Sequence, residues 1–303
     1  MKLLIVIFLC LANLGISQTK IAYLSAERMT SPALEERNNT ATSSNFEYYG
    51  GLIYVNAVLN GESGQFIFDT GAPTLVVNSR KNTGKSITAS GISNSFQVGQ
   101  VEVNSFEWAN LLRENFQGLL VDVSHFQKSG AENLKGLIGY EIVADRAVEI
   151  DFQDQTISLF SYREVKREIK NRKPSQTISF ELEGHLPVVE VIIEGKKYRF
   201  GIDTGSECNI MDERKLSEFT PQAVSTEMIQ GLDQTKQKVR VGKINGIRSG
   251  ERAVSDVKFL FSNISHLQSG QFNYQIDGLL GLSFLKGNKC IIDYPRQKIY
   301  FYN

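Results

Sequence analysis

Two stretches decide how this chain is read: V-N-A-V-L-N-G-E-S-G-Q-F-I-F-D-T-G over residues 55–71, and V-E-V-I-I-E-G-K-K-Y-R-F-G-I-D-T-G over residues 189–205. They align without a gap at a separation of 134 residues (203 − 69 = 134). Gly61 falls on Gly195, Phe66 on Phe200, and the Asp-Thr-Gly triplets coincide. Each copy is an apolar run, a polar turn containing Gly, and a second apolar run, which is the pattern of a β-hairpin. The chain is therefore read first as a duplication.

A second pair of blocks extends the repeat. Gly136-Leu137-Ile138-Gly139 resembles Gly278-Leu279-Leu280-Gly281 at a separation of 142 (278 − 136 = 142). Asp151 then matches Asp293, Gln155 matches Gln297, and Ile157 matches Ile299. The separation grows by eight residues (142 − 134 = 8), which places small insertions in the middle of the second copy. One module is expected over 48–160 and another over 178–303. Short runs of Val, Ile and Phe alternating with polar residues predict β structure throughout both. Helix is expected only within Met211–Glu218 and near Asn133.

The flanking segments differ in character. Residues 1–17 carry Lys2, an apolar run from Leu3 to Ala12, and small Gly15 and Ser17 at the −3 and −1 positions of a cleavage site. That is the pattern of a secretory signal peptide, so export to the periplasm or outside the cell is expected. Its apolar run is too short to span a bilayer, and no later segment is long and apolar enough, so no membrane span is expected after its removal. Residues 18–47 match neither module and read as a pro-segment, a lead or an edge strand. Residues 161–177 read as a solvated linker, because Arg163, Lys166, Arg167, Lys170, Arg172 and Lys173 alternate with Glu164 and Glu168.

The 303 residues have a formal net charge of zero and 41% hydrophobic content. Each half can bury a core, and nothing in the charge balance suggests a nucleic-acid or membrane-surface partner. Without the leader, Cys208 and Cys290 remain, too few for a disulfide scaffold. They are read as buried thiols, with a single bridge as the alternative.

The chemistry lies in the triplets. An apolar strand ends in a carboxylate, a hydroxyl and a glycine. The strand holds the Asp at the edge of a core, Thr can stitch its loop to a neighbour, and Gly lets the chain turn without a Cβ clash. One such loop would be an ordinary strand end. Two at equivalent places in a duplicated fold can face each other across a pseudo-two-fold axis. Two carboxyls that close cannot both ionise easily, so they hold one proton between them. Such a pair suits amide hydrolysis: the ionised carboxylate takes a proton from water, and the protonated one donates to the scissile carbonyl. No covalent intermediate, metal or cofactor is needed.

On these residues the chain resembles the aspartyl peptidases of the pepsin and retropepsin fold over most of 48–302. The motifs are Asp69-Thr70-Gly71-Ala72, Asp203-Thr204-Gly205-Ser206, and the blocks ending at Gly139 and Gly281. The resemblance implies an all-β, bilobal fold of two retropepsin-like lobes and an aspartic endopeptidase acting on peptides or proteins as a monomer. It also implies Asp69 and Asp203 as catalytic residues, supported by Thr70, Gly71, Ala72, Thr204, Gly205 and Ser206. In that family each Gly block crosses behind its own Asp loop, so loss of Gly139 or Gly281 is expected to disturb the site. The family also covers its cleft with a flap. The matching hairpins would turn at Gly91 and Gly231, with Ile92 and Leu232 as substrate-binding residues in the roof. No Tyr lies between Gly71 and Asn110, a departure from the pepsins and closer to a fused retropepsin dimer of the bacterial type.

Other residues are set aside. His125, His185 and His266 lie at no metal-ligand spacing and are assigned structural or surface roles. Asp151 and Asp293 are assigned to turn capping. Ser206, unlike Ala72, has a hydroxyl that could reach a carboxylate oxygen and lower the pKa of its lobe's Asp. Two readings compete with the peptidase: a catalytically silent peptide-binding protein on the same fold, and a structural envelope protein whose triplets are coincidental turns.

Overall fold

A computed structural model describes residues 3–5, 10–11, 42–81, 85–91, 94–127, 133–219, 221–268, 273–287 and 289–303. The paired stretches form the hairpins Leu52–Leu59/Glu62–Phe68 and Leu186–Ile193/Lys196–Ile202. The pairings Leu59↔Glu62 and Ile193↔Lys196 leave two-residue turns, Asn60-Gly61 and Glu194-Gly195. All four turn residues have positive φ (50°, 85°, 49° and 80°). That is the geometry whose twist matches the flanking strands, and Gly takes it without strain.

From each hairpin the chain continues into the same four-strand arrangement. Glu62–Phe68 lies parallel to Leu134–Ile138, which is antiparallel to Val76–Asn78, which is parallel to Leu111–Val121. Lys196–Ile202, Gly278–Leu280, Asn209–Asp212 and Arg252–Ser262 repeat that order and those directions. Each lobe adds a long hairpin whose distal half folds toward the other lobe: Ser86–Ser90 with Ser95–Trp108, and Gln222–Gln230 with Lys236–Ser249. The architecture is all-β and bilobal, as expected.

A six-strand array joins the lobes in the order Gln176–Ser179, Lys298–Tyr302, Lys289–Asp293, Ala147–Asp151, Thr156–Phe160 and Thr42–Tyr49. Its centre pairs Ala147 with Asp293 and Asp151 with Lys289. Antiparallel pairing of equivalent strands is what a two-fold axis through the array requires. Asp151 and Asp293 cap the turns beyond these strands: Asp151 Oδ1 accepts from the N–H groups of Gln153 (3.0 Å) and Asp154 (3.1 Å), and Asp293 Oδ1 from that of Arg296 (3.2 Å). The apolar core includes Phe66, Phe68, Phe106 and Trp108 from the first lobe and Phe200, Phe259 and Phe284 from the second, in one continuous cluster.

Several expectations change. The main helix, Tyr162–Arg172, lies in the stretch read as a linker. Its start is a capping box: Ser161 Oγ accepts from Glu164 N, and Glu164 Oε2 accepts from Ser161 N at 2.7 Å. Val165 is buried beneath it, and Arg172 pairs with the buried Glu149, so its charged residues form the outer face of a packed element. The helix expected within Met211–Glu218 is instead strand Asn209–Asp212 followed by a 3-10 turn, Glu213–Glu218. Asn133 leads into strand Leu134–Ile138 rather than a helix, and the four-residue helix Tyr140–Val143 follows that strand. Thr42–Tyr49 is a strand but not an edge one: Thr42–Asn45 pair with Thr156–Leu159 and Phe46–Tyr49 with Leu52–Val55, so the edge-strand reading of the 18–47 lead fails there; residues 18–41 lie outside the described residues. Cys208 and Cys290, by contrast, are buried thiols as read from the sequence.

Near the N-terminus, Leu3–Ile5 pairs parallel to Met228–Gln230, and Cys10–Leu11 pairs antiparallel to Ala89–Ser90. Among the described residues no helix is long and apolar enough to cross a membrane.

Candidate active site

The two Asp-Thr-Gly loops meet at the pseudo-two-fold axis. Asp69 and Asp203 are each 0% exposed. Asp69 N donates to Ile138 O (3.0 Å) and Asp203 N donates to Leu280 O (2.9 Å), which fixes each aspartate to the strand that leads into its lobe's second block glycine. The threonines then cross-link the loops. Thr70 N donates to Thr204 Oγ1 (2.9 Å), whose hydroxyl donates to Phe68 O (2.9 Å). Reciprocally, Thr204 N donates to Thr70 Oγ1 (3.0 Å), whose hydroxyl donates to Ile202 O (2.8 Å). These four buried hydrogen bonds satisfy both threonine hydroxyls and both threonine N–H groups, and they set the distance between the lobes.

The carboxyls have equivalent surroundings. Asp69 Oδ1 accepts from Gly71 N (2.8 Å) and Asp203 Oδ1 from Gly205 N (2.9 Å). A Cβ placed on Gly71 would lie 2.6 Å from Asp203 Oδ1 and 3.1 Å from Asp69 Oδ1, so the inner oxygens crowd one point that only Gly leaves open. The outer oxygens, Asp69 Oδ2 and Asp203 Oδ2, are buried, and no group of the described residues outside the pair itself donates to them. Burial raises the pKa of both groups, and the Asp69 charge raises Asp203 further. Donation from Gly71 and Gly205 is nearly the same for the two inner oxygens. The proton therefore belongs to the pair rather than to either residue.

Gly139 and Gly281 pass directly behind these loops. A Cβ on Gly139 would come within 2.6 Å of Ala72 O and 2.3 Å of Thr74 O. One on Gly281 would come within 2.5 Å of both Ser206 O and Cys208 O. The next residue completes each contact, with Tyr140 N donating to Ala72 O (2.9 Å) and Leu282 N to Ser206 O (2.9 Å).

Residues 189–284 match the aspartyl protease family model. The match covers roughly a third of the chain and contains the second Asp-Thr-Gly loop and its Gly block. A comparison with curated proteins finds no match. The first lobe lies outside the matched span, and its likeness to the second rests on the repeated strands and loops described above.

The flap expectations divide. Gly91 and Gly231 sit at the tips of the two hairpins, between Ser90 and Ser95 and between Gln230 and Lys236. Leu232 is 2% exposed and belongs to the first lobe's apolar cluster with Ala72, Val123 and Phe126, so it anchors the tip across the lobe boundary. Ile92 lies outside the described residues.

Ser206 differs from expectation. Its hydroxyl donates to Cys208 O (2.7 Å) and accepts from Cys208 N (3.3 Å), closing its own loop. With its proton committed to that carbonyl, it has no donor for a carboxylate. Ser206→Ala is accordingly expected to leave the acidic limb of the kcat/KM–pH profile in place and to cost about 1 kcal/mol of stability from the lost loop bond. A displaced limb would restore a Ser206–carboxylate contact.

Sequence reasoning missed the histidines. All three bond to backbone carbonyls of the site: His185 Nε2 to Gly71 O (2.9 Å), His125 Nε2 to Gly231 O (3.2 Å), and His266 Nε2 to Gly91 O (2.9 Å). A carbonyl only accepts, so each Nε2 carries a proton. His185 reaches the first Asp loop from the second lobe. Its equivalent in the first lobe is Gly51 (185 − 134 = 51), so this tie is one-sided.

Proposed function

We propose that the chain is an exported aspartic endopeptidase with Asp69 and Asp203 as its catalytic pair. The observation that carries this reading is the pair of buried outer carboxylate oxygens that find no partner among the described residues outside the pair itself, held side by side by reciprocal threonine bonds. A buried polar atom without a partner costs free energy and points to an external one. A water between the outer oxygens would be deprotonated by the ionised carboxylate as it attacks the peptide carbonyl. The proton already held by the pair would pass to the carbonyl oxygen, and then to the leaving nitrogen as the tetrahedral intermediate collapses. Rigid loops mean that little reorganisation accompanies the charge movement. This arrangement disfavours a silent peptide-binding protein, which has no need for two unsatisfied carboxyls in a core.

The substrate would bind as an extended strand along the hairpin edges. The chain's own leader illustrates the mode, with Leu3–Ile5 parallel to one hairpin and Cys10–Leu11 antiparallel to the other. A two-fold axis reverses one hairpin relative to the other, so a single directional strand crossing it must be parallel to one and antiparallel to its mate. Removal of the leader after Ser17, proposed together with export, would leave both edges open. Apolar pockets along the cleft between the lobes would favour bulky apolar residues flanking the scissile bond.

Cleavage of a peptide library with and without a statine-type inhibitor tests the reading. Inhibitor-sensitive cuts between bulky apolar residues are the expected result. Strict preference for charged residues there would contradict the substrate picture, and absence of any inhibitor-sensitive cleavage would contradict the endopeptidase.

A further inference from the structure

His125 and His266 share a motif and a geometry that the catalytic scheme does not use. Val123-Ser124-His125-Phe126-Gln127 and Ile264-Ser265-His266-Leu267-Gln268 recur at a separation of 141 residues (266 − 125 = 141). Each forms a 3-10 turn directly after a core strand, Ser124–Phe126 after Leu111–Val121 and Ser265–Leu267 after Arg252–Ser262. Each turn is pinned from both sides. Asp122 Oδ1 accepts from Ser124 N (3.0 Å), and Asn263 Oδ1 accepts from Ser265 N (3.0 Å). Phe126 and Leu267, next to the histidines, are buried. A short turn fixed by a side-chain cap and an apolar anchor holds the intervening imidazole in a defined direction.

That direction is across the lobe boundary in both cases. The first-lobe His125 donates to the tip carbonyl of the second-lobe hairpin, Gly231 O (3.2 Å). The second-lobe His266 donates to the tip carbonyl of the first-lobe hairpin, Gly91 O (2.9 Å). Further contacts cross at the same place: Gln234 Nε2 donates to Asp122 Oδ2 (3.3 Å), and Asn94 Nδ2 donates to Asp233 Oδ2 (3.3 Å). Leu232 enters the first lobe's apolar cluster beside Val123 and Phe126. Hairpins this far from their own lobe's core would otherwise be free to swing, because a two-stranded ribbon is marginal by itself.

We propose that His125 and His266 are positioning residues that latch the two hairpin tips over the carboxylate pair, each lobe clamping the tip of the other. The inference rests on the peptidase reading for its purpose, but the latch itself is a matter of structure. Neutral imidazole with Nε2–H and imidazolium can both donate to a carbonyl, so the latch needs no particular protonation state.

Hydrogen–deuterium exchange on the full chain separates a latch from a local structural role. His125→Ala is expected to speed amide exchange several-fold in 222–235 of the opposite lobe and to leave 86–90 unchanged. His266→Ala is expected to do the reverse. His→Gln at either position keeps a side-chain N–H donor and is expected to restore much of the protection. On a cleaved peptide, each Ala variant should raise KM about five- to tenfold, the scale of one lost hydrogen bond, with kcat within about twofold. Exchange that rises mainly within the mutated residue's own lobe, or in neither hairpin, would overturn the latch. If an Ala variant fails to fold, the Gln variant carries the test, since unaltered exchange and KM there with a non-donating His→Met variant behaving the same would also overturn it. Crossed exchange in a protein that cleaves nothing would keep the latch and reject the peptidase. Cleavage with uncrossed exchange would do the opposite.

Discussion

Asp203→Asn is expected to remove turnover while making the protein more stable at neutral pH. The proposed chemistry needs one ionised and one protonated carboxyl, and Asn supplies neither a base nor a transferable proton. Groups that act as one unit do not fail by halves, so a loss on the order of 10³-fold or more is expected, and Asp69→Asn should match it. The stability gain follows from burial. Both carboxyls are fully buried, and their pKa values in the folded protein lie above the ordinary carboxylate value of about 4. A raised acid pKa means that the folded state holds its proton more tightly than the unfolded state. Stability associated with the pair is therefore complete below pH ~4 and is lost as pH rises through the folded-state pKa. Each tenfold difference in proton affinity between the folded and unfolded states is worth about 1.4 kcal/mol. Removing one carboxyl removes the like-charge repulsion and one desolvation cost. Melting temperatures of wild type and Asp203→Asn should thus nearly coincide at about pH 3 and separate by several degrees at about pH 8, the variant higher. A variant that melted lower at the alkaline end, or kept a large share of wild-type turnover, would refute the shared-proton pair.

Gly281→Ala, with Gly139→Ala beside it, should damage the site from behind. The reason is not backbone conformation, since Gly281 has φ −82° and Gly139 has φ −96°, both open to any residue. It is space. The new methyl of Gly281→Ala would sit 2.5 Å from two carbonyl oxygens of the second Asp loop, and backbone cannot rotate away as a side chain can. Overpacking of this kind costs about 1–3 kcal/mol when neighbours can yield, and the upper end is expected here. Yielding would push on Ser206 O, which also receives Leu282 N, so the loop carrying Asp203 moves with it. Chemical denaturation should show the stability loss, and kcat/KM should fall on the order of tenfold or more, as misplaced catalytic groups lose rate steeply. Gly287→Ala is the control, because a Cβ there meets nothing within 4 Å, and it should be close to neutral in both measurements. Equal effects at the two positions would remove the steric argument.

Much of this was legible along the chain. The hairpin turns at Gly61 and Gly195, the strand ends at Asp69 and Asp203, and the two Gly blocks are patterns of neighbouring residues that recur in order. The helix Tyr162–Arg172 was legible but overlooked, because its charge run hid the Ser161–Glu164 capping box and the single buried Val165. The Ser-His-apolar-Gln repeat was present too, but a histidine that bonds to a backbone carbonyl needs no second side chain at a fixed spacing. Nothing in a search for metal-ligand spacing finds it. Ser206 shows the opposite error: its place beside Thr204-Gly205 suggested a carboxylate partner, while the turn of the loop set Cys208 O within reach of its hydroxyl.

By itself, then, the order of residues determined the duplication, the strand content and the identity of the two loops that meet. These depend on contacts within a hairpin, where the period of two and the turn residues act over a few positions. Only the tertiary structure decided that the threonines bond reciprocally across the axis, that the outer carboxylate oxygens find no partner among the described residues outside their own pair, and that each of the paired histidines, His125 and His266, reaches the other lobe's hairpin. Those contacts join residues more than a hundred positions apart. Their geometry is set by how two lobes pack about a pseudo-two-fold axis, and no local pattern encodes the direction in which a side chain will then point.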